Sequence, residues 1–320
     1  MKPRSFATAY VGGGTPSSLP HELLKRLLAA VSEKLEDSYE WTFEGNPEDF
    51  DEELCLLLGK AGINRVSMGL QSARPLALSF LGRRHGFETV GRAVSSLRAA
   101  GIKNISLDLI YGLPGETLDE VRYDIERLLS LNPTHFSTYS LEIHEGTPLA
   151  RKGIREASDD ILAEHLSLIE EEGRKRGYAR YEISSFALPG YQARHNIAYW
   201  KDDEYVGIGM GAAGYEDGIR YVNPGLLIPY LQKAPRSEEA VDSRSGKEYF
   251  LLTNLRLAEG FALKDYKAKC GGSFLSDFEA SFKELSAEGL LAYDGTNVKP
   301  TERGMNLLDR VLLRLYNDLR

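Results

Sequence analysis

Through its first half the chain alternates strand-like and helix-like segments, and this restricts the fold more than any other feature. Candidate strands lie at residues 8–12, 40–44, 65–69, 104–111 and 135–141. Amphipathic patterns at 20–35, 52–61, 87–100 and 118–131 separate them. In the first pattern Leu23, Leu24, Leu27, Leu28 and Val31 share one helical face. Gly62 and Gly101 each follow a helical pattern and precede a strand, where a left-handed C-cap is wanted. Repeated βα units of this spacing predict an α/β fold with a parallel sheet, open or closed into a barrel.

The second half reads differently. Residues 159–176 form a long helical pattern, and 178–186 look extended. Residues 189–235 are rich in proline, glycine and tyrosine and predict irregular structure. The charged stretch 236–247 reads as a linker or the entry to a helix. From Glu248 the pattern is helix, helix (276–288), a hairpin turning at Asp294-Gly295, and a last helix over 302–319. That order predicts a small winged-helix-like domain. Three parts follow: 1–186, a connecting region 187–245, and 246–320.

Composition narrows the function. With 39 basic and 47 acidic residues the net charge is −8, which argues against nucleic-acid binding. Apolar runs such as 54–58 are far too short to cross a bilayer, and the N-terminus lacks the apolar core of a signal peptide. Two cysteines, Cys55 and Cys270, exclude a disulfide framework and point to a reducing, cytoplasmic setting.

Ligands of parallel sheets bind at the carboxyl ends of the strands. Reading those ends gives Gly12-Gly13-Gly14-Thr15-Pro16, Glu44-Gly45-Asn46-Pro47, Met68-Gly69-Leu70-Gln71, Asp108 within an apolar strand, and Glu142. Glycines at a strand end let a ligand approach the backbone closely. An aspartate between Leu107 and Leu109 needs a partner or a ligand. Each feature alone has a structural explanation; their convergence on one edge predicts a binding site.

Several longer motifs carry a resemblance. They are Gly12 to Pro16, the run Asn64 to Ser72, Leu81-Gly82-Arg83-Arg84-His85, Asp108 to Pro114, Gly146-Thr147-Pro148, Tyr181 to Ala187, and Arg194-His195-Asn196-Ile197-Ala198-Tyr199-Trp200. With these the chain resembles the radical S-adenosylmethionine (SAM) proteins of the oxygen-independent coproporphyrinogen III oxidase family, and within it the haem chaperone branch. The resemblance implies a radical SAM (βα) barrel followed by a small C-terminal winged-helix-like domain. It implies SAM-binding positions at Gly13, Gly14, Thr15, Glu44, Gln71, Arg83, Asp108 and Glu142. Glycine backbone suits the ligand's amino group, carboxylates its ammonium and ribose hydroxyls, and Arg83 its carboxylate. The run 195–200 matches the HNxxYW signature of the chaperone branch, which marks His195, Asn196, Tyr199 and Trp200 as haem-site candidates. The structural reading of that histidine, a satisfied side chain in a polar loop, stands beside it.

The resemblance also implies a [4Fe–4S] cluster held by a C-x₃-C-x₂-C loop upstream of the position that Gly12 occupies. The chain carries no such loop, and neither cysteine is spaced to replace it. The barrel is therefore expected to lack its first strand and cluster loop, leaving an open sheet edge beside 8–12 that favours aggregation or dimerisation. Catalytic residues and metal ligands are expected to be none, and the chain as written is expected not to reduce SAM. An upstream start, with Met1 an internal methionine, is expected over a naturally shortened relative. Two functions follow: a haem chaperone that delivers haem to respiratory haem proteins, or a coproporphyrinogen III oxidase. A homodimer and peripheral membrane association through a partner stand among the implied arrangements.

Overall fold

A computed structural model describes residues 5–319, which divide into two compact units. The first comprises residues 5–180 and 184–195, the second 181–183 and 196–319.

The first unit is a seven-stranded sheet. Strands β1 (Phe6–Val11), β2 (Leu35–Gly45), β3 (Arg65–Gln71), β4 (Asn104–Tyr111) and β5 (His135–Ser140) run parallel and adjacent in chain order. Two short antiparallel strands, β6 (Ala179–Arg180) and β7 (Ser185–Ala187), extend it in the order β1-β2-β3-β4-β5-β7-β6. Among the described residues the sheet is open, with β1 at one edge. Helices His21–Ser32, Glu52–Ala61, Phe87–Ala99, Leu118–Ser130 and Asp159–Lys175 complete the units. Local chemistry fixes their ends. Asp51 accepts the Leu54 N–H at 2.8 Å, and Thr117 with Glu120 forms a capping box. Gly62 (φ 97°) takes the left-handed C-cap its position asked for.

The strands alternate strictly. One side chain set, including Trp41, Phe43, Val66, Met68, Ile105, Leu107, Leu109 and Phe136, is buried against Leu24, Leu28, Leu54, Leu58, Val90, Leu97, Ile125 and Leu128 of the helices. The intervening positions carry polar groups: Thr8 and Tyr10 on β1, Thr42 and Glu44 on β2, Arg65 and Ser67 on β3, Asn104, Ser106 and Asp108 on β4, His135 and Ser137 on β5. Since successive residues point to opposite faces, the sheet has one oily and one polar side.

In the second unit Ala213–Glu216 (β8), Ile219–Val222 (β9) and Ser237–Ala240 (β10) form an antiparallel sheet. Phe261–Ala262 (β11), Leu291–Tyr293 (β12) and Asn297–Pro300 (β13) form another, and the β12–β13 turn places Gly295 at φ 95°. The helices beside it enclose an aromatic core of Phe250, Phe261, Tyr266, Phe274 and Phe278.

Some expectations change. Residues 189–235, expected to be irregular, contain helix Arg194–Trp200, strands β8 and β9, and the short helix Leu227–Leu231. The first of these starts where Glu40, far away in sequence, accepts the Arg194 and His195 N–H groups at 3.0 and 2.9 Å. The expected helix over 302–319 breaks at Leu307 into Glu302–Asn306 and Leu308–Asn317. The helix expected over 276–288 is interrupted at Phe278, leaving Phe274–Asp277 and Glu279–Ala287. The backbones of Phe278 and Leu307 leave the helical region, and Phe278 is itself fully buried in the core of this unit.

Candidate functional site

The polar side of the sheet is satisfied by its own groups towards the start of the strands and opens towards their ends. Arg65, 2% exposed, donates to Asn104 Oδ1 at 3.1 Å and to the Tyr191 carbonyl at 3.0 Å. Ser106 Oγ lies 2.7 Å from His135 Nδ1, and Ser137 Oγ 3.3 Å from Ser185 Oγ. These groups leave little polar capacity unmet.

At the strand ends the arrangement differs. After β1 the residues Gly13, Gly14 and Thr15 adopt φ of 73°, 60° and 62° in succession. Added Cβ atoms on Gly13 and Gly14 would meet nothing among the described residues. Gly12 is the tight position: a Cβ there would run into the Tyr10 ring and lie 2.7 Å from Glu44 Oε2. Only glycine lets β1 pass that close to the carboxylate. Tyr10 in turn donates its hydroxyl to Glu44 Oε2 at 3.0 Å. Burial, then the charges of Glu44 and Asp108, hold the Tyr10 hydroxyl protonated far above its usual range.

Asp108 pairs in register with Gly69 of β3 and Ser137 of β5. Burial, reinforced by the charge of Glu44, pushes its carboxyl up to about 7, against the pull of a Ser137 hydrogen bond and of Arg65 and Arg83. Glu44, Arg83 and Asp108 therefore share one electrostatic neighbourhood. Gln71 ends β3 at a bulge with φ 67°, and its side-chain amide folds back over Gly69, where a Cβ would occupy its place. Behind it Asp124 fixes the following loop, accepting from Ser72 Oγ at 2.7 Å, the Ala73 N–H at 2.8 Å and Arg74 Nε at 3.0 Å. Glu116 holds the next loop by accepting the Gly112 and Leu113 N–H groups at 2.7 and 3.1 Å.

The structure thus brings Glu44, Gln71 and Asp108 to adjoining strand ends, beside the glycine turn of Gly13, Gly14 and Thr15, while Arg83, in the turn after helix Pro75–Phe80, acts on Asp108 through its charge. Glu142 is different: it is exposed in the loop after β5, 3.7 Å from His144 Nε2. Sequence reading overlooked Tyr10, Arg65 and Ser137. The polar–apolar alternation of Arg65 to Gln71 and Asn104 to Asp108 carried that signal.

His195 also lies on the polar side of the first unit. Its Nδ1 is 2.8 Å from Thr8 Oγ1 and its ring stacks on Tyr10, centroids 5.4 Å apart and planes 25° from parallel. Burial lowers its pKa to about 4, so the imidazole is neutral near pH 7. Asn196, Tyr199 and Trp200 belong to the second unit. There Tyr199 meets the Tyr205 ring edge-on at 4.6 Å, and the Arg256 guanidinium lies 4.6 Å from the Trp200 ring centroid.

A SAM-like ligand fits the strand-end group, which offers an open glycine turn, carboxylates and an arginine. A cluster does not fit the described residues. No group of three or more His, Cys, Asp or Glu is arranged among them to hold a metal. Cys55 is buried in the apolar core and burial pushes its thiol up to about 12, while Cys270, in the second unit, is pushed up to about 11.

A mostly parallel sheet with a ligand-ready polar side at its strand ends is the architecture of radical SAM proteins. A model of the Radical SAM superfamily matches residues 2–128, and one of the HemN C-terminal domain matches residues 248–307. The fold is that of the solved coproporphyrinogen III oxidase (HemN) from Escherichia coli, with TM-score 0.79 and 21% identity over 98% of this chain and 78% of that one. Curated relatives bear the name Heme chaperone HemW. That of Lactococcus lactis is 37% identical over 97% of this chain and 85% of its own length. Those of Bacillus subtilis and E. coli are 34% and 32% identical, over 98% and 97% of this chain and 86% and 84% of theirs. The chain belongs to the Heme chaperone HemW family.

Proposed function

We propose that this protein is a cytoplasmic haem chaperone that binds haem and delivers it to respiratory haem proteins. The observation that carries the reading is similarity along nearly the whole chain to relatives named for haem chaperoning, at 32–37% identity. In this reading His195, Asn196, Tyr199 and Trp200 contribute to haem binding, and Gly13, Gly14, Thr15, Glu44, Gln71, Arg83, Asp108 and Glu142 bind SAM. The SAM site would hold the sulfonium ligand, whose ammonium and ribose hydroxyls would meet Glu44 and Asp108. The three-part organisation 1–186, 187–245 and 246–320 belongs to the same proposal. No helix among the described residues is long and apolar enough to cross a membrane.

Haemin titration of the purified protein tests the reading. A saturable Soret shift, transfer of the haem to an apo haem protein and no turnover of coproporphyrinogen III are expected. His195→Ala should alter the spectrum and weaken retention, while Cys270→Ala should leave both unchanged. Decarboxylation of coproporphyrinogen III without haem retention would replace this function with that of the oxidase.

A further inference from the structure

The second unit exposes a group of large aliphatic side chains that its own core does not use. Ile208 is 82% exposed, Leu226 71% and Met210 55%, and Leu227, Ile228 and Leu231 are each more than half exposed. They come from two segments that touch. The Gly211 N–H donates to the Pro224 carbonyl at 3.0 Å, and Asn223 Nδ2 donates to the Gly207 and Gly209 carbonyls at 3.1 and 3.0 Å. The Gly209 N–H donates to Tyr230 Oη at 3.1 Å, tying the glycine loop to helix Leu227–Leu231. Gly207 is obligatory, because a Cβ would strike the Ala213 carbonyl. The aliphatics therefore stand on a backbone already fixed, and a ligand would not have to order it.

Exposed aliphatics grouped in this way mark a binding surface. Its charge pattern selects the ligand. Residues 205–215 and 221–232 contain no acidic or basic side chain, and the first charge after them is Lys233. Lys233 is exposed and has no ion-pair partner among the described residues, in a chain of net charge −8. An anionic membrane surface would call for several cations around the patch. Here Arg236 is occupied by Glu238 at 2.7 Å, and Glu238 and Glu239 are exposed on β10. A second copy of the chain would need a face of about 20–30 residues for a stable dimer, against the six side chains present.

Resting on the haem-chaperone reading, we infer that Ile208, Met210, Leu226, Leu227, Ile228 and Leu231 form a platform for the flat apolar face of a porphyrin, with Lys233 receiving a propionate. The platform reads the macrocycle and not the iron.

The test compares haemin with metal-free protoporphyrin IX on the full chain. Wild type should bind both, and Leu226→Ser/Ile228→Ser should weaken both by about tenfold or more. Lys233→Glu should weaken both by roughly threefold, an effect that shrinks with salt. Cys270→Ala, outside every proposed site, should leave binding of both porphyrins unchanged. Unaltered circular dichroism and melting of the variants show that the fold is kept. If wild type binds haemin but the double variant binds it equally well, the platform is wrong and the chaperone reading stands. If wild type binds neither porphyrin, the chaperone reading falls and takes the platform with it. Loss of vesicle flotation or of self-association in the double variant, with porphyrin affinity intact, would overturn the platform in favour of lipid or a second copy.

Discussion

The two faces of the seven-stranded sheet are made from alternate residues of the same strands, yet they are built to different rules. The apolar face is closed: Trp41, Phe43, Val66, Met68, Ile105 and Leu107 are all fully buried. The polar face is closed only towards the strand starts, by hydrogen bonds such as Ser106–His135 and Arg65–Asn104. At the strand ends it keeps an exposed Glu44 and a half-buried Asp108 whose carboxyl is held near neutrality. One face supplies stability through burial, and the other keeps titratable groups at its strand ends. A packed barrel interior would have carried branched aliphatics at Arg65, Ser67, Ser106 and Ser137 instead.

Substitutions on the two faces should separate accordingly. The largest effect is expected from Phe43→Ala, which leaves a cavity among Phe50, Leu54 and the strands and should cost about 3–5 kcal/mol in denaturant unfolding. Arg65→Ala should cost about 1–3 kcal/mol by stranding the Tyr191 carbonyl, while Asn104 Oδ1 keeps its bond from the Thr134 hydroxyl. It should also raise the Asp108 pKa further, because a cation that opposes the shift is gone; carboxyl titration followed by NMR reads this. A loss as large as that of Phe43→Ala would break the distinction between the faces.

His195 sharpens the comparison through pH. Its folded pKa, about 4, lies below the unfolded value of 6.5, so its contribution to stability is present above pH 6.5 and is lost as pH falls towards 4. Thermal melts between pH 7 and 4.5 should show a decline of roughly a few degrees from this residue. That decline should be absent in His195→Gln. The smallest expected effect is that of Ser137→Ala, about 1 kcal/mol or less, again with Asp108 shifted upward.

The sequence was informative wherever structure is local. Glu52–Ala61 has the bounds its periodicity predicted, and the parallel order of β1 to β5 follows from the βα spacing. Helix Arg194–Trp200 was not legible, because its first N–H groups are capped by Glu40 from another strand. The break at Leu307 was hidden for a related reason. A Cβ on Gly304 would strike the Leu290 carbonyl, a contact between segments that no local pattern reveals. At the site, the glycine turn, Glu44, Gln71 and Asp108 were found as strand ends. Tyr10 was missed because its role depends on a neighbouring strand bringing Glu44 within 3.0 Å.

The claim that the polar face is the ligand side is tested most directly by calorimetric titration of SAM between pH 6 and 8, with wild type and Asp108→Asn. Asp108 has a folded pKa above its unfolded value of 3.8, so its contribution to stability is present below about pH 4 and is lost as pH rises towards 7. A cationic ligand that meets the carboxylate offsets that loss. Affinity for SAM should therefore strengthen as pH rises through about 7 in wild type, and be about tenfold weaker and flat with pH in Asp108→Asn. Equal affinity and an identical pH profile in the two proteins would contradict the account.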